Sequence, residues 1–194
     1  MGHRDALLDG AKRCLYERGY AHTTARDIVA ASGTNLASIG YHFGSKEALL
    51  NAALADAIEE WGDRLQESIR ATRPRARDPY ARFERAWTQI IDSFEAHRPL
   101  WLSLIEALAQ VERSPEVRAL LGEALARGRE RIAAAFGGDG TNASATRTRT
   151  TGAFFQALLL GVVTQWLVDP ARAPSGRTMA AALRTLNATL QPEG

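Results

Sequence analysis

Residues 35–50 read NLASIGYHFGSKEALL. The first half sets Ala37, Ser38 and Gly40 beside Ile39, Tyr41, His42 and Phe43, and the second half opens a strong helix. A core helix would carry more bulk, and a free loop fewer apolar residues. Ile39 and Phe43, four apart, predict one face turned back onto a scaffold. The small residues predict another face that must let something approach closely. Asn35 is placed to cap this short helix, and Ser45 to cap the next, with Glu47 in its first turn.

Upstream, a helix from about Asp5 to Arg18 buries Leu7, Leu8, Ala11, Cys14 and Leu15, and Gly19 ends it. Thr24-Ala25-Arg26-Asp27 is a capping-box pattern opening a second short helix that Gly33 stops. A supporting helix followed by two short helices joined by a Gly-containing turn is the helix-turn-helix arrangement. Its second helix, about Asn35 to Phe43, is the one that enters a DNA major groove. Ser38 can bond a base edge or phosphate, and Leu36 can meet a thymine methyl. Tyr41 and His42 are suited to the sugar-phosphate strands. Lys46, at a helix N-terminus, marks a phosphate site. Thr23, Thr24 and Arg26 stand ready for the opposite wall of the groove.

Periodicity near 3.6 continues to the C-terminus with no sustained alternation, so the chain reads as all-α with about nine helices. A long helix from Lys46 to about Thr72 carries Leu50, Leu54, Ala57, Ile58, Trp61, Leu65 and Ile69 as its apolar stripe. After RPRARDP, Asp78 caps a helix expected to reach about His97. Further helices span about Pro99–Val111, Ser114–Phe136, Thr146–Val168 and Thr178–Leu190. The shift in helix size near residue 46 divides the chain by function, with a DNA-binding unit in 1–60 and a larger helical unit in 61–194.

Composition bounds the remaining classes. The 194 residues are 45% hydrophobic and 24% charged, with net charge +2, an ordinary globular balance. Residues 1–50 hold six Lys/Arg against five Asp/Glu, so placement rather than net charge argues for nucleic acid. The single cysteine, Cys14, excludes an intrachain disulfide. The N-terminus shows no secretory pattern. The run from Ala153 to Val168, interrupted by Gln156, Thr164 and Gln165, falls short of the roughly 18–20 residues that span a bilayer. A cytoplasmic protein without a membrane partner is therefore expected. The four histidines show no metal-ligand spacing, and no catalytic constellation or cofactor loop is present. Neither an enzyme, a metal nor a cofactor is expected.

Residues 23–50, TTARDIVAASGTNLASIGYHFGSKEALL, resemble the DNA-binding signature of the tetracycline-repressor (TetR) family of bacterial regulators. The resemblance covers about the first 60 residues, and the remainder matches in helix count and length. It implies a homodimeric, ligand-responsive regulator, most often a repressor, binding a palindromic double-stranded operator. It carries Thr24, Tyr41, His42 and Lys46 onto phosphate-contacting positions, and Leu36, Ser38 and Gly40 onto base-facing ones. Two departures stand out: Thr34 where a branched apolar residue is usual, and Gly40 where Tyr is frequent.

Large aromatics at helical spacing are commonly core. The family nonetheless implies an effector cavity, for which Trp61, Trp87, Ile91, Phe94, Trp101 and Phe155 are candidates, and the lack of charge among them suggests a largely apolar small molecule. The last two helices supply the expected dimer seam through Phe154, Leu158, Gly161, Met179, Leu183, Leu186 and Leu190, with Gly152 and Gly161 permitting close approach. The alternative from another class is a non-catalytic ligand-binding or protein-interaction adaptor that has lost operator binding, which Gly40 makes conceivable.

Overall fold

The computed structural model describes residues 2–71, 78–136 and 145–190. Among the described residues there are nine α-helices and no strand: α1 (His3–Arg18), α2 (Ala25–Ser32), α3 (Leu36–Phe43), α4 (Lys46–Ala71), α5 (Pro79–Asp92), α6 (Arg98–Leu108), α7 (Pro115–Phe136), α8 (Ala145–Val168) and α9 (Gly176–Leu190). The all-α expectation holds. The RPRARDP linker (up to residue 77) and the loop 137–144 lie outside the described residues.

One boundary differs by a turn and more. The helix expected to reach His97 stops at Asp92, and Glu95–His97 forms a separate 3-10 turn before α6. No Gly or Pro marks the break. Ser93 donates its hydroxyl to the Ile90 carbonyl at 2.7 Å and so competes for an acceptor the helix ladder would use.

Packing separates the chain into two compact units. The first takes the residues up to Gly62 together with His97–Arg127. Its core is Leu7, Ala11, Leu15, Ile28, Ile39, Leu49, Leu50 and Leu54, all buried, each large side chain contributing about 1.5–3 kcal/mol relative to exposure. Gly10 sets the α1–α2 crossing, because a Cβ there would lie 2.8 Å from Ser32 Cβ and 3.1 Å from the Ile28 carbonyl oxygen. Lys12 ties α1 to α4 through Asp56 at 2.7 Å and Glu60 at 2.6 Å, with Asp9 at 3.3 Å on its own helix. Arg127 reaches Glu59 of α4 at 2.6 Å.

The second unit takes Asp63–Ala96 and the chain from Gly128 onward. Here α9 lies directly on α5: a Cβ on Gly176 would sit 2.5 Å from the Glu84 carbonyl oxygen, so only glycine fits. The same holds for Gly152 of α8, where a Cβ would meet the Arg129 carbonyl of α7 at 2.2 Å. Gly152 therefore serves a contact within the chain, not the partner contact expected of it, whereas Gly161 has no neighbour within 4 Å. Beside that crossing the Arg129 side chain donates to Gln156 Oε1 at 2.8 Å, giving the buried Gln156 a polar partner.

Arg149–Val168 of α8 is, by length and composition alone, long and apolar enough to cross a bilayer, which corrects the shorter run marked in the sequence. The same helix buries Gln156, Leu159, Val162, Val163 and Trp166 inside the protein.

Candidate nucleic-acid interface

The outward surface of the first unit is built by three successive caps. After α1, Gly19 adopts φ 78°, a region open to glycine at little cost, and the chain turns toward Thr23. Thr24 then caps α2: its hydroxyl accepts from the Asp27 N–H at 3.2 Å, and Asp27 Oδ2 accepts from the Thr24 N–H at 2.9 Å. The Thr24 hydroxyl also donates to Asp27 Oδ2 at 2.6 Å, and this bond together with that from the Thr24 N–H holds the Asp27 carboxyl below its ordinary range, despite some desolvation, with Arg18 adding a smaller effect. Gly33 closes α2 in the left-handed conformation, φ 66° and ψ 25°. The hydroxyls of Ser32 and Thr34 meet at 2.7 Å across that turn, which gives Thr34 a local partner where an apolar side chain was expected.

Asn35 caps α3, its Oδ1 accepting from the Ser38 N–H at 3.0 Å. Ile39 is buried and anchors the helix, and Phe43 is half-buried at its end. The opposite face is bare. Leu36 is 53% exposed and Tyr41 86% exposed, with Ala37 and Gly40 exposed between them. A Cβ at Gly40 would have no neighbour within 4 Å, so the site is open space and not a tight approach. Tyr41 and His42 meet edge to face with centroids 4.8 Å apart, which braces the exposed phenol. Ser45 caps α4 by accepting from the Ala48 N–H at 3.0 Å.

The expected contact residues divide by orientation. Thr24, Arg26, Asn35, Leu36, Gly40 and Tyr41 are exposed, and His42 is partly so. Thr23 and Ser38 correct the sequence reading. Thr23 is buried and donates its hydroxyl to the Gly19 carbonyl at 2.7 Å. Ser38 is buried and donates to Asn35 Oδ1 at 3.1 Å, completing the cap. Both hydroxyls serve the scaffold. Lys46 donates to the Thr23 carbonyl at 3.2 Å and lies 3.3 Å from Glu47, tying the start of α4 to the turn before α2.

Two residues escaped the sequence reading. The Arg4 guanidinium lies 5.3 Å from the centroid of the Phe43 ring, and Glu106 of α6 accepts from the Ala21 N–H at 2.9 Å. Both are long-range pairings with no local pattern to announce them.

The aromatic candidates occupy both units. In the first, Trp61 and Trp101 meet edge to face at 4.7 Å. In the second, Phe83 lies 6.0 Å from both Trp87 and Phe155, Phe94 lies 5.6 Å from Trp166, and Ile91 is half-buried. On α6, fully buried Ser103 has a hydroxyl without a hydrogen-bond partner among the described residues. Of the expected seam, Leu158, Met179 and Leu183 are half-buried and Gly161 is exposed, while Phe154, Leu186 and Leu190 are 51%, 54% and 79% exposed.

Comparison with known proteins agrees with this geometry. Residues 7–53 match the family model for bacterial regulatory proteins of the tetR family. Residues 78–191 match that for the tetracyclin repressor-like C-terminal domain. The chain is 29% identical over 122 residues to the HTH-type transcriptional repressor AcnR of Corynebacterium efficiens, covering 61% of this chain and 56% of that protein. The match thus spans little more than half of that relative's length. A solved protein from Rhodococcus sp. RHA1 superposes with a TM-score of 0.71 at 20% identity, covering 93% of this chain and 94% of its own. The multidrug binding protein EbrR, solved with proflavin, superposes with a TM-score of 0.64 at 22% identity, covering 95% and 99%. At such identities the solved structures speak for the fold.

Proposed function

Since the chain belongs to the TetR family of bacterial regulatory proteins, we propose that it is a ligand-responsive transcriptional repressor binding a palindromic duplex operator as a homodimer. The observation that carries this reading is α3 itself: a short helix anchored by buried Ile39, with Leu36, Gly40 and Tyr41 bare on its outer side. Thr24, Arg26, Asn35, His42 and Lys46 complete the contact set, Lys46 once it leaves Glu47 for a phosphate. Thr23 and Ser38 hold the scaffold in position. With no side chain at Gly40, sequence preference rests on Leu36, Tyr41 and the shape of the DNA.

The exposed apolar positions of α8 and α9 are the proposed two-fold seam, Phe154, Leu158 and Gly161 meeting Met179, Leu183, Leu186 and Leu190 of a second copy. A two-fold dimer presents two recognition helices to successive major grooves, hence a palindromic site. Residues 1–60 act on DNA, and 61–194 bind effector and partner. The effector is a small, largely apolar molecule, and within the second unit Trp87, Ile91, Phe94 and Phe155 are its proposed contacts. EbrR, which binds proflavin, supports an aromatic ligand of this kind. Effector binding shifts the population of α4 positions and weakens operator affinity, which requires different affinities for the two states. The protein works in the cytoplasm, as a binding protein and not as an enzyme.

Retention of sheared host DNA by the purified protein tests the reading. Retention at low salt that falls steeply as salt rises supports it. A protein that retains no duplex at low salt, in the absence of effector, is not this regulator.

A further inference from the structure

Of the six Lys/Arg in residues 1–50, most are committed. Lys12 is paired with three carboxylates, Arg18 lies 3.5 Å from Asp27, and Lys46 is paired with Glu47. Arg13 donates to the Ala31 carbonyl. Arg4 and Arg26 have no carboxylate partner among the described residues. Arg26 already belongs to the contact set, but Arg4 has no role yet.

Arg4 is exposed in the first turn of α1, and its guanidinium lies over the ring of Phe43, the last residue of α3. The neighbouring Asp5 is occupied elsewhere, its Oδ2 accepting from the Gly2 N–H at 3.3 Å. An unneutralised cation is therefore fixed at the C-terminal end of α3, directly after Tyr41 and His42. The ring face and the negative end of the helix both favour it there. A guanidinium held over a ring keeps N–H groups free to donate.

We infer that Arg4 is a phosphate-contacting residue of the operator surface, held over the Phe43 ring and donating its N–H groups to the DNA strand that passes the C-terminal end of α3. The inference rests on the proposed DNA binding. A recognition helix turns its N-terminal residues to the base edges, so its other end faces the groove wall where phosphates run. Holding the guanidinium before DNA arrives lowers the ordering cost of that contact.

The test is equilibrium binding of the full chain to a random-sequence duplex of about 30 base pairs, over roughly 50 to 200 mM salt. Wild type is compared with Arg4→Met, with Arg4→Lys, and with Arg172→Met, whose side chain is 89% exposed in the loop after α8. The plot of log affinity against log salt should lose about 0.9 of slope for each Arg4 contact removed. Over that salt range the Arg4→Met deficit should shrink by about three- to fourfold per contact. Arg4→Lys should recover most of the slope, and Arg172→Met should keep all of it. An Arg4→Met protein that binds more weakly by the same factor at every salt overturns the inference, since Arg4 then only packs on Phe43. Equal slopes for Arg4→Lys and Arg4→Met, both below wild type, overturn it as well, because charge is then not what matters. Absence of wild-type binding overturns the DNA-binding reading itself.

Discussion

The carboxylate of Glu106, on α6, accepts a hydrogen bond from the backbone N–H of Ala21 at 2.9 Å, across 85 positions of sequence. Ala21 lies in the turn that leads to Thr23 and to Thr24, the cap of α2. An edge contact between Tyr16 and His97, centroids 6.3 Å apart, joins α1 to the start of α6 as well. Helix α6 thus holds the turn from which α2 and α3 are launched, and this explains why it packs with the N-terminal helices despite its place in the chain.

Glu106→Ala should cost about 1 kcal/mol of stability, below the roughly 1.5–3 kcal/mol of a buried charge-assisted bond because the group is only half-buried. Glu106→Gln, which keeps an acceptor, should recover most of it. Urea unfolding gives the energies, and amide exchange at Ala21 gives the location. Equal losses in both variants would show that the charge, not the accepted bond, matters.

Thr24→Ala removes the cap of α2 and should cost about 1 kcal/mol. The Asp27 carboxyl adds a pH dependence of known sign. Its folded pKa lies below the ordinary value of 3.8, so its contribution is present above that value and is lost as pH falls through the folded pKa. The gap in urea midpoint between wild type and Asp27→Asn should be constant above about pH 5 and should close in acid. A gap that persists undiminished at the acid end contradicts the account.

Lys12 behaves oppositely. Burial lowers its pKa, but hydrogen bonds to Asp56 and Glu60 more than offset this and raise it above the ordinary 10.5. Its contribution is therefore fully present below that value and is lost only as pH rises beyond it. Lys12→Met should lower stability by a similar amount at every pH from about 6 to 9, as read by urea titration across that range. A deficit that varies strongly within that window would assign the titration to another group.

Two glycines of α8 should respond in contrasting ways. Gly152→Ala drives a Cβ into the Arg129 carbonyl and should destabilise the protein by about 1–3 kcal/mol. Gly161→Ala meets nothing in its own chain. It should leave the unfolding of isolated subunits unchanged or slightly improved, while larger residues there should weaken self-association measured by sedimentation. A Gly161→Leu protein that associates like wild type removes this position from the seam.

The caps at Thr24, Asn35, Ser45 and Asp78 were legible in the sequence because a cap is local chemistry, acting within three residues. Helix periodicity was legible for the same reason. Orientation was not: Thr23 and Ser38 look like available hydroxyls until the fold buries them against Gly19 and Asn35. Arg4 over Phe43 and Glu106 on Ala21 join residues brought together only by tertiary packing. Gly152 read as a gap for a partner because a sequence shows that a glycine is present, not which backbone lies opposite it.

Gly40 offers a simple experiment on specificity. With open space around it, Gly40→Ala should fold normally and stabilise α3 by about 0.5–1 kcal/mol through reduced chain entropy. Any change in preferred operator bases then reports the groove directly, by selection from a randomised duplex pool. Unaltered preference would place position 40 away from the bases.

The most direct measurement is selection of bound fragments from sheared host DNA by the purified wild-type protein, with Tyr41→Ala run alongside. Tyr41, 86% exposed on α3, can be removed with little cost to the fold. The account predicts a shared palindromic site recovered by wild type and lost in the variant. Recovery of the same site by both proteins, or of none by either at low salt, would contradict the assignment of α3 as the helix that reads DNA.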